Sequence, residues 1–356
     1  MIRQRRCQDA DEIIAFSSGA SPLAKVFITI DTEVWPDANG WPHTPLASSN
    51  DCARELSWYF YGGGGSEAKG LPYQLHTLAS AGLKASFFVD PLFSFAIGAA
   101  PLRDVLTLIR HGGQEIGLHL HPEWLTDPRC SGLPPFSGPL LHGYSEAAQE
   151  HLVRAGMRRL SELGAGNITV FRAGSWGANR ATLRALRRNG IMFDTSLNAS
   201  FASSFPDLDP TVRRASTQPF MLEGTCEFPV TNFIDMPPEG RRPLHVCATS
   251  LSEFRAVLEH AAASEWFAVV IVLHSFEFVR LQRLSAGKSG ASHRLLADRF
   301  ERLCTYLADN TDKHQTCHFA ELDTATVPNA AQPPVPSSSL ARTAMRHVEQ
   351  LASYVY

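Results

Sequence analysis

Short apolar runs recur along this chain ahead of stretches with helical patterning, and no other feature restricts its fold so strongly. The runs are Val26 to Ile30, Ala85 to Val89, Glu115 to His119, Ile168 to Phe171, Ile191 to Phe193, Thr225 to Val230 and Ala268 to Leu273. Their length and composition are those of strands buried in a parallel sheet. Helical patterns lie between them near Tyr73 to Ala81, Leu102 to His111, Glu146 to Leu163, Arg180 to Asn189, Ser252 to Ala263 and Leu295 to Leu307. Alternating β and α segments imply an α/β layer or barrel. In the fourth helix Asn179 is a suitable N-cap, Leu183 and Leu186 form an apolar stripe, Arg184, Arg187 and Arg188 suit the C-terminal dipole, and Gly190 ends it.

With 356 residues, 44% of them hydrophobic, the chain can bury a large core, and one α/β domain over residues 24–325 is expected. A net charge of −3 gives no basic field for nucleic acid, so no nucleic-acid role is assigned. Residues 1–23 read as an N-terminal extension, basic and then acidic, without the apolar run of a signal peptide. No later segment has about 18 uninterrupted apolar residues, so no transmembrane helix is expected. The seven cysteines are odd in number, scattered and without a Cys-x-x-Cys pair, which fits reduced thiols in cytoplasm.

Trp58-Tyr59-Phe60-Tyr61 followed by Gly62 to Gly65 reads either as the wall of a substrate groove or as a packed turn. Residues 326–356 read as a Pro/Ser-rich linker and a C-terminal amphipathic helix. Leu340, Ala344, Met345, Val348, Leu351 and Tyr354 recur there at helical spacing, an apolar face for the body of the protein or for a partner subunit in a homo-oligomer.

Chemistry concentrates where the predicted strands end. Asp31, Glu33, His119, His121, Arg172, Asp194 and His274 all fall at or just past such ends, the side on which barrels of this kind gather function. Imidazoles two residues apart, as in His119-Leu120-His121-Pro122, point to one side of an extended segment. A carboxylate from another strand completes a three-ligand metal site with a position open for water. Glu277, in Ser275-Phe276-Glu277-Phe278, is either a carboxylate supporting that site or an ordinary loop charge.

Taken in order, Thr29-Ile30-Asp31-Thr32-Glu33, Glu115 to His121, Phe171-Arg172-Ala173-Gly174, Phe193-Asp194-Thr195-Ser196 and Ile271-Val272-Leu273-His274-Ser275 resemble the polysaccharide deacetylase family. That family is also called the NodB-homology domain or carbohydrate esterase family four. The resemblance covers roughly Ala24 to Ala320 and implies an incomplete or distorted (β/α) barrel of about seven parallel strands. It implies Asp31 as general base, Glu33, His119 and His121 as ligands of Zn2+ or another divalent transition metal, and Arg172 as the group that orients Asp31. It implies His274 as general acid, with Asp194 as the carboxylate that tunes or orients it, and Ser175 and Trp176 as wall residues. The chain departs from the family at two points. The usual His-x-x-x-His spacing lands on Glu123, which leaves Glu123 as the alternative to His121, and the usual proline after the arginine is Ala173.

The activity so implied is removal of an N-acetyl group from a sugar or glycan precursor, which in cytoplasm means a soluble or lipid-linked intermediate. A sugar deformylase or a cyclic amide or imide hydrolase would need the same metal site, and a non-catalytic carbohydrate-binding relative would keep the barrel.

Overall fold

The computed structural model describes residues 23–36, 41–43, 46, 52–63, 68–235, 240–280, 292–328 and 332–355, without the side chains of 352–355. Apart from its last residue, the N-terminal extension at 1–23 lies outside the described residues.

In chain order the strands are β1 (Ala24–Thr32), β2 (Ala85–Val89), β3 (Glu115–Leu120), β4 (Val170–Ala173), β5 (Phe193–Asp194), β6 (Phe220–Leu222), β7 (Thr225–Glu227), β8 (Asn232–Ile234), β9 (Arg241–Pro243), β10 (Ala268–His274) and β11 (His314–Thr316). The main sheet runs β10-β1-β2-β3-β4-β5-β7 with every neighbouring pair parallel, as expected from the sequence. The short β6 adds antiparallel to β7, and β11 pairs with the start of β1. The helices are α1 (Ala53–Tyr61), α2 (Leu71–Ser80), α3 (Phe93–Ile97), α4 (Ala99–His111), α5 (Glu146–Glu162), α6 (Arg180–Arg188), α7 (Pro210–Ala215), α8 (Leu251–Ala263), α9 (Arg294–Asp309) and α10 (Leu340–Val355).

Strand alternation sorts the core into two clusters. Val26, Ile28 and Ile30 of β1, Phe87 and Val89 of β2, Leu118 and Leu120 of β3 and Ile271 and Leu273 of β10 join the helices. The intervening residues Phe27, Phe88, Val170, Phe193, Val270 and Val272 meet one another and Phe228 and Phe319 in the second cluster. Side chains from both ends of a strand row can meet only if the sheet is curled, so the architecture is a distorted, incomplete (β/α) barrel. β10 faces the gap, where irregular backbone takes up its edge: Thr231 N–H donates to the Val270 carbonyl (3.2 Å), Val246 N–H to Val272 (3.0 Å) and Val272 N–H to Leu244 (3.0 Å). The far end is sealed by Phe319, stacked on Phe27 at 4.4 Å, and by Glu115, which accepts N–H groups from Phe319 and Ala320.

The α6 boundary follows its sequence signals. Asn179 and Thr182 form a reciprocal capping box, and Gly190 adopts φ +80° just past the end. The aromatic run Trp58 to Tyr61 lies on α1 rather than in a turn, and Gly62 at φ +74° ends that helix. There Phe60 is core against Phe93, while Tyr59 packs on Phe276 at 4.7 Å, close to His274.

The C-terminal segment departs from the expectation. Residues 332–339, read as a linker, are strapped to the body: Thr217 and Gln218 N–H groups donate to Gln332, Ile234 N–H donates to Pro336, and Ser338 N–H donates to Ile234. The α10 helix does form, but its polar side meets the body. Arg346 is fully buried, 2.9 Å from Asp235 and 3.1 Å from Glu253, while Leu340, Met345, Val348 and Leu351 stay exposed. Two carboxylate partners for one buried guanidinium, Glu253 buried and Asp235 partly so, outweigh the apolar stripe.

Candidate metal centre

Glu33 follows the end of β1, His119 lies on β3 and His121 just beyond it, and their metal-binding atoms converge. All three residues are buried. Glu33 Oε2 is 2.5 Å from His121 Nε2 and 3.2 Å from His119 Nε2, and the two Nε2 atoms are 3.1 Å apart. His119 Nδ1 lies 2.7 Å from the Arg172 carbonyl. A carbonyl can only accept, so Nδ1 carries the proton and Nε2 presents a lone pair to the centre. Trp35 Nε1–H donates to Glu33 Oε1 at 3.0 Å, which leaves Oε2 for the site.

Glu123 does not share this centre. Its Oε2 faces His121 Nδ1 at 3.4 Å, on the opposite side of the ring, where a carboxylate orients a ligating imidazole. Gly174 makes room for that ring: a Cβ there would lie 2.7 Å from His121 Nδ1.

Burial alone would raise the Glu33 carboxyl, but the neighbouring His121 charge outweighs it and holds Glu33 well below the carboxylate range. Burial would likewise lower His121, yet Glu33 and Glu123 hold it well above the usual imidazole value. Two imidazole nitrogens and one carboxylate oxygen are a donor set for zinc or a similar divalent transition metal, so these residues fit such an ion.

Asp31 and Glu33 project from the same side of β1, two residues apart. Arg172, fully buried on β4, donates to Asp31 Oδ1 at 2.7 Å, to Thr29 Oγ1 at 2.8 Å and to the Thr195 carbonyl at 3.2 Å. Its guanidinium also lies over Phe88 at 4.4 Å and Trp176 at 5.2 Å. Ser175 and Trp176 both adopt positive φ, at 50° and 60°, a strained turn beside the pair.

β1 and β10 pair so that Asp31 stands opposite His274. His274 keeps a quarter of its side chain accessible, and its Nδ1 lies 3.3 Å from Glu277 Oε2. The carboxylate on His274 is therefore Glu277. Asp194 instead accepts from Ser196 at 2.6 Å and stands opposite Glu227 in the β5–β7 register. Burial and the neighbouring Asp194 charge push Glu227 well above the carboxylate range.

Burial would lower His274, but Glu277 first and then Glu33 and Asp31 raise it to about 9. In the metal-free protein an NMR titration is expected to find this imidazole changing charge near pH 9, and Glu277→Gln is expected to return it toward the ordinary value of about 6.5. The sign follows: the pair's contribution to stability is complete below about pH 6.5 and is lost as pH rises through about 9. An unchanged titration in Glu277→Gln would show that Glu277 is not the group responsible.

Asp90, directly after β2, is absent from the motif set yet adjoins the centre. Burial pushes it up to about 7 against the His121 charge and the Leu92 N–H. The strand-end rule that picked out Asp194 points equally to Asp90. Glu227 and Trp35 carried no such signal.

The chain matches no family model and no curated protein. Among solved structures it is similar to a Mycobacterium smegmatis protein assigned to the polysaccharide deacetylases, with 18% identity and TM-score 0.49 over 86% of this chain and 91% of that one. A family 4 carbohydrate esterase from Streptomyces lividans, solved with acetate, gives 11% identity and TM-score 0.40 over 88% and 98%. A carbohydrate esterase family 4 pseudoenzyme from Bacillus anthracis gives 10% and 0.40 over 87% and 68%. Polysaccharide deacetylases of carbohydrate esterase family 4 are thus among the solved structures that this chain resembles, at low sequence identity.

Proposed function

We propose that this protein is a metal-dependent hydrolase that removes an N-acetyl group from a sugar or sugar-containing precursor. The observation that carries this reading is the convergence of Glu33 Oε2, His119 Nε2 and His121 Nε2 beside an Asp31–Arg172 pair, with His274 opposite Asp31 on the next strand.

Glu33, His119 and His121 would hold the divalent ion, which when bound polarises an amide carbonyl and lowers the pKa of water toward about 7. Asp31, fixed by the Arg172 fork, takes the proton from the attacking water at its carboxylate. His274, its Nδ1 held by Glu277, gives a proton from Nε2 to the departing amine. The products are acetate and a free amino sugar. The cytoplasm is the proposed compartment, with a soluble or lipid-linked glycan intermediate as substrate.

The test is release of acetate and primary amine from a panel of N-acetyl sugars and nucleotide sugars by zinc-loaded protein, with Asp31→Asn slower by about 10²- to 10⁴-fold. No acetate, but turnover of a formamide or a cyclic imide, would replace this reading with another C–N hydrolysis. Sugar binding without any turnover would leave a non-catalytic relative.

A further inference from the structure

We infer that the chain carries a second cation site, formed by His245, Cys247 and Glu277, for a borderline-soft divalent ion such as Zn2+. The irregular segment that takes up the β10 edge brings His245 and Cys247 alongside the turn that carries Glu277. One imidazole nitrogen, the thiol and a carboxylate oxygen lie within 4.8 Å of one another, and His245 Nε2 is 3.0 Å from Glu277 Oε2. Tetrahedral zinc with such ligands sets them about 3.3–3.8 Å apart, so small side-chain rotations close the site. Arg299 N–H donates to the Val246 carbonyl at 2.6 Å, which anchors the backbone between His245 and Cys247. Cys247 is exposed as a residue, but burial of its thiol and the adjoining Glu277 push that thiol well above its usual range, so an ion has to displace a firmly held proton.

The donor set differs from that of the first centre. A thiolate, an imidazole and a carboxylate favour zinc or cobalt over magnesium or calcium. Binding displaces the thiol proton to solvent and forms a metal–sulfur bond, with no change of oxidation state. The ion also competes for the carboxylate that holds His274, 3.3 Å from Glu277 Oε2, so loading this site slows the hydrolysis. That last consequence rests on the proposed role of His274, whereas the site does not.

Cobalt titration of the metal-free full-length chain tests it. The first equivalent is expected to give only visible d–d bands from the Glu33 centre, and the second a near-ultraviolet thiolate-to-cobalt charge-transfer band. Cys247→Ser is expected to abolish that band while keeping the d–d bands, which also report that the variant folds. His245→Gln is expected to weaken the second step at least about tenfold. A wild-type protein without the band at saturation, or a Cys247→Ser protein that keeps it, would overturn the site. A band without slower acetate release would overturn the inhibitory role. A band in a protein that releases no acetate at any loading would establish the site and count against the proposed activity.

Discussion

Replacing Arg172 with methionine is expected to cost about 3–5 kcal/mol of folding stability, a large share of what a domain possesses. The guanidinium is fully buried and supplies the charge opposite Asp31. Methionine fills much of the volume between Phe88 and Trp176 but leaves Asp31 unpaired in the interior. Arg172→Lys keeps the charge and loses the fork that reaches Asp31, Thr29 and Thr195 together, so it should fall between the two. Urea unfolding of the metal-free proteins gives the comparison. A loss below about 1 kcal/mol in Arg172→Met would show that Asp31 has another counter-charge.

Under the proposed function, His119→Ala is expected to lose metal binding and to lower the proposed deacetylation by about 10³-fold or more. Alanine removes one converging nitrogen together with the Nδ1–H bond to Arg172 that fixes the tautomer. Glu123→Gln should behave differently, weakening metal affinity by about 10- to 100-fold without abolishing it, because Glu123 meets the outer nitrogen of His121. Metal content after dialysis against a graded chelator separates the two variants. Undiminished metal in His119→Ala would overturn the ligand assignment, and complete loss in Glu123→Gln would move the third ligand to Glu123.

How much of this was legible in the sequence depended on whether a segment's neighbours were local. The run Ala85 to Val89 is a strand over that same span because five buried residues leave no ambiguity. Ile168 to Phe171 falls two residues short of β4, since Arg172 ended the apolar run yet lies within the strand, its charge met by Asp31. Strands of three residues such as β6, β8 and β9 are too short for any periodicity to show. The convergence of Glu33, His119 and His121 was legible because His119 and His121 share one strand face and Asp31 and Glu33 another. The partner of His274 was local and still missed: Glu277 stands three residues on, in the turn after β10, whereas the resemblance pointed to Asp194. The C-terminal helix was legible but its buried face was not: Arg346 is buried by carboxylates 111 and 93 residues away, which no local pattern reveals.

The place of β1 between β10 and β2 also bears on the order in which the site is made. Glu33, His119 and His121 all lie within the first 121 of the 356 residues, on or beside strands joined through β2. The Asp31–His274 pairing instead closes a loop spanning most of the chain; beside it, the Thr29 hydroxyl bonds the Ile271 carbonyl 242 residues away. Contacts that distant form late, since their loop-closure entropy is spent before they return anything. As the chain leaves the ribosome, the segments for ion capture emerge well before the acid that would release the amine. Under the proposed function, catalytic competence would therefore depend on the docking of β10 beside β1.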